Sequence, residues 1–543
     1  MKSHRWITTP VIWRGDTAKL MRHALISLLV LPAIALAAPS FDVYEILVDG
    51  NTVLSAVDIE RAIYPHLGPA KVLADLEKAR EALERAYHDA GYLTVVVDIP
   101  EQRVGEGTVS LRVTEGRVER LKVAGNRYTS RSEIRGETPS LAPGEVPNFT
   151  DVQQELAKAQ RADRKLTPLL RPGKAAGTVE VELKVDDALP LHGSVEYNNK
   201  QSPDTTRDRL EASLRYDNLW QKGHSVGFSF QGSPKKSDEV EVWTGTYSAP
   251  LGAGTLAAYA VKSNSNVATA AESTVLGKGT TLGLRYIRPL PGGDGYFHSL
   301  MAGFDDKDFE ETTNLLGADT TNKPLRYMPF VLQYTAGLQD AGGQWQFNFG
   351  TAWSLRHFSD RDVLCDDGLI HDQFDCKRSG ARSNFAVLRG DVQRSQVLGG
   401  GWDLTARLDF QVASQPLVSN EQFSAGGVDS VRGYLDAERQ GDDGVRARFE
   451  LRTPGLLADT RLDARLVGFF DWAGLRVQEP LPLQEARFGL GSYGLGLRLR
   501  DAEGVRLFVD LAHALRNGAG APGGGWRTAK NDTRVHMRLT YEF

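Results

Sequence analysis

From about residue 191 to the C-terminus, apolar and polar side chains alternate in segments of about ten residues, divided by Gly, Asp, Asn and Pro. One segment sets Leu210, Ala212, Leu214 and Tyr216 against Glu211, Ser213, Arg215 and Asp217. Another sets Leu404, Ala406, Leu408, Phe410 and Val412 against Asp403, Arg407, Asp409 and Gln411. Val445, Ala447, Phe449 and Leu451 oppose Arg446, Arg448, Glu450 and Arg452, and Tyr493, Leu495, Leu497 and Leu499 oppose Gly494, Gly496, Arg498 and Arg500. Successive strand residues point to opposite faces, so each segment is a strand with one apolar and one charged face. A soluble β-sandwich also alternates. Here, however, the polar face carries full charges strand after strand, as a wall between hydrocarbon and enclosed water requires. About sixteen such segments can be counted, an even number suited to a single-chain transmembrane barrel. The last puts Val535, Met537, Leu539, Tyr541 and Phe543 on the lipid side.

Residues 41–188 follow another rhythm and read as one unit written twice. A strand (43–48) and a turn at Asp49-Gly50-Asn51 precede a helical stretch over 58–67. A longer helix follows with Leu73, Leu76, Leu83, Tyr87 and Ala90 on one face, closed by Gly91-Tyr92. Strands over 93–99 and 109–113 complete the unit. The second copy starts with a strand at 118–123 and a turn at Ala124-Gly125-Asn126, has a helix from Val152 to about Arg164, and ends with a strand over 178–185. Strand, helix, helix, strand, strand makes a three-stranded sheet under two helices, with an edge open to another extended chain.

Composition narrows the class. The 543 residues carry a formal charge of -5 with 24% charged residues, and so lack the basic surface of a nucleic-acid binder. Mean hydropathy is -0.33, and only residues 24–38 form an apolar run, which excludes a polytopic helical membrane protein. That run follows Lys19, Arg22 and His23 and ends in Ala35-Leu36-Ala37-Ala38, the marks of a secretory signal peptide cleaved near Ala37 or Ala38. The expected domains are a signal peptide (1–38), two α+β units (39–116 and 117–188) and a barrel (189–543).

The most informative connection joins the eleventh and twelfth predicted strands. It reads Phe423-Ser424-Ala425-Gly426-Gly427-Val428-Asp429-Ser430-Val431-Arg432-Gly433-Tyr434, followed by Gly441-Asp442-Asp443-Gly444. With the small units in the periplasm, odd strands run outward and this loop is extracellular. Cys365 and Cys376 lie between predicted strands nine and ten, also outside. Two Cys at the ends of one loop in an oxidising compartment point to a disulfide in preference to a cation site using the neighbouring Asp residues. Gly223-His224-Ser225-Val226-Gly227 matches a nucleophile elbow in letters, but an alternating strand follows where that motif needs a helix. No phosphate-binding loop, metal-ligand set or cofactor motif is found, and no enzymatic activity is expected.

Val431-Arg432-Gly433-Tyr434, the two small units and the sixteen strands together resemble the outer-membrane transporters of two-partner secretion, the haemolysin and filamentous-haemagglutinin exporters of the POTRA-and-barrel superfamily. Gly50-Asn51, Gly91-Tyr92, Ile99-Pro100-Glu101-Gln102 and Glu115-Gly116 extend the resemblance into the first unit. It implies two periplasmic POTRA domains and a 16-stranded antiparallel transmembrane β-barrel in the bacterial outer membrane. It also implies a loop folded back into the lumen, its Arg432 paired with a carboxylate on the strand after next. Asp471 is the expected partner, because Arg461, Asp463, Arg465, Val467, Phe469 and Asp471 share the lumen face of that strand. The Gly of its motif, Gly474, comes one residue later than the family pattern. Family members usually carry a plug helix ahead of the first POTRA unit; the expected cleavage leaves no room for one before Val43. The terminal Tyr541 and Phe543 resemble a barrel-assembly signal. Expected partners are a large secreted passenger (adhesin or haemolysin type) bound in extended form, outer-membrane lipid and the barrel-assembly machinery, with no nucleic acid. Two other functions fit part of the pattern: a barrel-assembly insertase of the same superfamily, and a passive porin.

Overall fold

A computed structural model describes residues 40–543 except 238, 266–276, 316–317, 360, 366–367, 458–460, 483 and 522–523. The expected signal peptide lies outside the described residues. The chain divides into two compact units, one holding the residues up to Arg120 with Ser140–Gln153 and Arg171–Glu180, the other holding Leu121–Pro139, Gln154–Leu170 and Val181–Phe543.

In the first unit, Glu45–Asp49, Thr108–Glu115 and Val95–Asp98 form a sheet in that order, the first pair parallel and the second antiparallel. Helices Ala56–Ile63 and Leu73–Asp89 accompany it. Ser55 caps the first by accepting the Asp58 N–H at 3.2 Å. The second buries Leu76, Ala79, Leu83 and Tyr87 in one cluster with Ile46, Val109, Leu111 and Val113. Leu73 and Ala90, which share the predicted stripe, are exposed because they stand at the helix ends. The strand expected over 43–48 breaks at Tyr44, where the N–H groups of Tyr44 and Glu45 both turn to the Gly107 carbonyl at 2.8 and 3.2 Å. Phe41–Val43 pairs instead with Gly68–Lys71.

A second three-stranded sheet is ordered Arg117–Ala124, Thr178–Asp187, Arg164–Pro172. Its opening turn repeats that of the first sheet. Gly50 and Gly125 sit at φ +92° and +90°, and a Cβ on either would strike a carbonyl oxygen, of Val113 or Val185. Beyond each Gly a carboxylate closes the turn: Glu115 accepts the N–H groups of Thr52 and Val53 at 2.5 and 3.1 Å. Asp187 does the same for Arg127, Tyr128 and Thr129 at 2.7, 3.0 and 2.8 Å. The helix expected to reach Arg164 ends at Ala159. Arg164 is instead the first strand residue, its buried guanidinium bonding the Ala159 carbonyl (Nε, 3.1 Å) and the Glu137 carboxylate (Nη2, 2.6 Å).

The remaining chain closes a 16-strand antiparallel barrel. In chain order its strands are Leu191–Asn198, Arg209–Leu219, His224–Gly232, Glu241–Leu251, Gly254–Ser265, Gly277–Gly293, Tyr296–Leu315, a two-part strand, Gly343–Ser354, Ala386–Val397, Asp403–Ala413, Asp443–Arg452, Leu462–Arg476, Arg487–Asp501, Val505–Ala514 and Thr533–Glu542. The two-part eighth strand comprises Ala318–Tyr327 and Pro329–Asp340. It breaks at Met328, whose N–H bonds Ser359 Oγ at 3.1 Å, beside a Pro with no N–H for the ladder. Ser225, of the elbow-like motif, lies in the third strand. Among the described residues past 191, helical turns are short: Arg356–Ser359 and Gln373–Lys377 in the loop between strands nine and ten, and single 3-10 turns at Gly399–Gly401 and Ser419–Glu421. Cys365 and Cys376 are bonded across that loop, with Cα atoms 5.5 Å apart.

Leu408, Phe449, Leu466, Phe470, Tyr493 and Leu495 face outward, and Asp409, Gln411, Asp471 and Asp510 are buried on the other face. Charge inside is paired: Arg285 with Asp305 at 2.8 Å, and Arg407 and Arg446 with Asp409 at 2.9 and 3.1 Å. The closing seam is short. Strands sixteen and one pair only over Arg538–Glu542 and Ser194–Asn198, extended by a reciprocal pair of 3.0 Å hydrogen bonds between Phe543 and Gly193. The Phe543 ring occupies the space where a Cβ of Gly193 would lie.

That contact makes Gly193→Val an overpacking change at the seam, with an expected loss of about 1–3 kcal/mol. A lower temperature for loss of the compact, heat-modifiable band in gel electrophoresis is the expected readout; an unchanged transition would remove the seam role of Phe543.

Candidate functional site

Loop 414–442 joins strands eleven and twelve and folds inward. Phe423–Ala425 and Arg439–Gly441 pair as a short stalk. At its top Gly426, at φ +115°, turns so tightly that a Cβ would strike the Leu435 carbonyl. The tip beyond it holds Val431, Arg432 and Tyr434, all buried.

Arg432 is the centre of the tip. Its Nε and Nη2 donate to Asp471 Oδ2 and Oδ1 at 2.6 and 2.8 Å, and its backbone N–H adds a third bond to Oδ2 at 3.1 Å. Two parallel N–H···O contacts from a planar fork fix orientation as well as distance, which Lys cannot do. Nη1 donates to Glu450 Oε1 at 2.7 Å and lies 3.5 Å from Asp510 Oδ2. The guanidinium also stands 3.5 Å over the Phe469 ring. One cation is therefore shared by carboxylates from strands twelve, thirteen and fifteen. Burial opposes charge on Arg432, but Asp471 outweighs it and raises the guanidinium further above its ordinary value.

The flanking residues add separate anchors. The Gly433 N–H donates to His536 Nε2 at 2.8 Å. Tyr434 Oη lies 2.9 Å from the carbonyls of both Gly491 and Arg516, either of which can accept its single O–H. Val431 and Tyr434 pack with Ala473, Leu475, Leu490 and Ala514. Asp429 pairs with Lys200 and Arg538 at 3.1 and 2.8 Å.

Sequence reasoning singled out Val431, Arg432, Gly433, Tyr434 and Asp471, and the structure places all five in one cluster. It missed Glu450, Asp510 and His536; the first lies on the charged face read for strand twelve, so parity carried the signal. It also missed two buried carboxylates in the loop's legs. Glu421 receives Lys307 Nζ at 2.6 Å, Tyr327 Oη at 2.7 Å and Arg389 Nη2 at 3.0 Å. Burial works against its ionisation, yet Lys307 and Arg389 hold the carboxyl down at about 2. Asp442 takes both ends of the Arg378 fork, Nη2 to Oδ2 at 2.6 Å, and the Leu417 and Gln478 N–H groups at 2.9 and 2.7 Å.

Residues 177–499 match the haemolysin secretion/activation protein family ShlB/FhaC/HecB, and residues 41–116 match the ShlB-type POTRA domain. The chain belongs to the haemolysin secretion/activation family. Its place is the outer membrane, with the POTRA region in the periplasm. Within reach of this family stand the outer membrane transporter CdiB of Dickeya dadantii, 27% identical over 40% of this chain and 39% of that relative, and the heme/hemopexin transporter protein HuxB of Haemophilus influenzae, 21% identical over 87% and 83%. The chain thus spans well under two thirds of the CdiB relative. The solved structure of CdiB from Escherichia coli is similar in fold, with a TM-score of 0.65 over 95% of this chain and 93% of that one at 19% identity.

Removing the Arg432 side chain leaves Asp471 and Glu450 the longer ion-pair contacts of Arg448, at 3.7 and 3.8 Å. Arg432→Ala should weaken docking of the tip by about 3–5 kcal/mol, the cost of removing one partner from a buried ion pair. Faster protease cleavage within 426–438 in the folded, reconstituted protein is the expected result; equal cleavage rates would refute the anchor. Asp436 sets a pH dependence. Burial pushes its carboxyl up to about 7, against the pull of Lys200, Arg209 and Arg538 and with the help of Asp429. A raised folded value favours the docked tip at low pH and surrenders that contribution as pH climbs towards about 7. The contribution is lost between the ordinary carboxyl value of 3.8 and about 7 and is flat above. Cleavage at the tip, normalised to the protease's own activity at each pH, should therefore accelerate across that interval and then level off, and Asp436→Asn should flatten the profile.

Proposed function

We propose that this chain is an outer-membrane translocation pore that recognises an unfolded secreted partner through its POTRA region and exports it to the cell surface. The observation that carries this reading is the buried Arg432 tip inside a sixteen-strand wall. Barrels of about sixteen strands leave an aqueous channel wider than side chains alone can fill. A loop that is charged, held in that channel by polar contacts centred on Arg432 and carried on a narrow stalk suits a movable obstruction more than a structural core.

The finer reading has two POTRA units, 39–116 and 117–188. Support for the pair comes from the repeated turn, Gly50 with Glu115 and Gly125 with Asp187, each closing over the end of its own sheet. Both sheets keep edge strands to which an extended passenger can add by main-chain hydrogen bonds with little demand on sequence. The lumen beyond presents Arg, Asp and Glu in pairs, a lining that neither repels nor strongly retains a polypeptide of mixed charge. With no nucleotide motif in the sequence, folding of the passenger outside is the driving force that fits. Cys365 and Cys376 would staple the outer loop between strands nine and ten, and Tyr541 and Phe543 would be read by the barrel-assembly machinery.

Arg432→Ala should cut passenger export several-fold while the barrel stays in the membrane in normal amount. Deleting residues 41–188 should abolish export and leave ion conduction intact. Normal secretion by either variant in a culture-supernatant assay would sink the proposal, and export lost together with membrane insertion of several unrelated barrels would favour an insertase.

A further inference from the structure

A cleft of about 760 Å³ opens on the barrel wall at the ends of strands eleven to fifteen, lined among others by Val412, Val445, Trp472, Arg476, Arg487 and Arg516. Strand parity assigns its face. Arg476 follows Phe470, Trp472 and Gly474 along the outward side of strand thirteen, and Arg487 is its direct cross-strand partner on strand fourteen. Both stand at the ends that lead into the extracellular loops, two residue pairs past Gly474–Gly489 and four past Trp472–Gly491 on the same face. The floor is thus glycine and apolar, and the rim is cationic.

Two like charges set directly opposite each other on neighbouring strands destabilise a sheet unless something answers them. Within the chain little does. Arg476 reaches Asp443 only at 4.0 Å, and Asp443 already accepts the Ala413 N–H at 2.9 Å and Gln478 Nε2 at 3.1 Å. Glu485 is taken by Arg439 at 3.0 Å. The guanidiniums of Arg487 and Arg516 have no hydrogen-bond or ion-pair partner among the described residues, and Arg516 Nη1 lies over Gly489, where a Cβ would come within 2.7 Å of it. Arg476, Arg487 and Arg516 thus face two carboxylates that both already hold other donors.

We infer that this cleft binds a phosphorylated glycolipid of the outer leaflet, with phosphate between Arg476, Arg487 and Arg516 and an acyl chain along Trp472, Val445 and Val412. Arg forks grip phosphate oxygens through charge-assisted pairs, and Trp at the boundary marks the level where headgroup meets hydrocarbon. The inference rests on the outer-membrane orientation above but not on passenger export. It has a consequence for the pore: the Arg516 carbonyl on the same segment lies within hydrogen-bonding distance of Tyr434 Oη, so the lipid site and the docked tip share a backbone segment.

The test uses the full chain purified in detergent, with native mass spectrometry or thermophoresis as readout. The probes are lipid A carrying its phosphates, lipid A with its phosphates removed, and inorganic phosphate. Lipid A should bind the wild-type chain, and Arg476→Gln/Arg487→Gln should bind it about tenfold more weakly or worse, the scale of one lost charged hydrogen bond. Dephosphorylated lipid A should bind wild type as poorly as lipid A binds the variant. Equal binding by variant and wild type, or by the two lipids, would overturn the site. Inorganic phosphate bound as tightly as lipid A would overturn a lipid occupant. Orientation is checked separately with Asn517→Cys on intact cells and a membrane-impermeant maleimide. Failure to label would overturn the orientation, whereas labelling without lipid discrimination would overturn the lipid site alone.

Discussion

Hydrocarbon offers no hydrogen bonds, so a chain crossing it must pair every backbone N–H and C=O with itself. That constraint fixes the closed ladder, and the ladder fixes everything else. Closure leaves each strand with one face in lipid and one in enclosed water, so ionic side chains can only point inward. Once inside they sit close together, at low effective dielectric, and each must find an opposite charge. The lumen of this barrel is therefore a lattice of Arg–carboxylate pairs before it is anything else.

Loop 414–442 exploits that lattice. Its tip brings one cation to three carboxylates that strands twelve, thirteen and fifteen already hold in place, and its legs bring two carboxylates, Glu421 and Asp442, to cations on strands seven and ten and on the loop between strands nine and ten. The division matters mechanically. The legs are held by Lys307, Arg389 and Arg378 independently of Arg432, so the tip has a stalk from which to swing. Burial of the whole assembly makes each anchor worth several kcal/mol when broken singly and gives the docked state one defined geometry.

Much of this was legible in the chain. Period-two alternation gave the barrel, its strand number and the lumen side of Asp471, because side-chain direction in a strand depends on nothing beyond parity. The Arg432 motif was legible through its family pattern, not through its chemistry, since a Gly-rich turn with one Arg is by itself unremarkable. Glu421 was not legible: it lies in a short 3-10 turn with no periodicity, and its cations come from residues 307 and 389, far away in sequence. The helix end at Ala159 was missed for a similar reason, as the buried Arg164 guanidinium that replaces the next turn is held by Glu137 and the Ala159 carbonyl. The split at Tyr44 reflects competition for one carbonyl, Gly107, which no local pattern announces.

The most direct measurement is single-channel conductance in a planar bilayer, comparing the full chain with one in which residues 426–438 are replaced by a short Gly-Ser linker. A tip seated in a continuous water-filled lumen predicts a several-fold larger and steadier conductance after its removal. Identical conductances, or none in either protein, would contradict it.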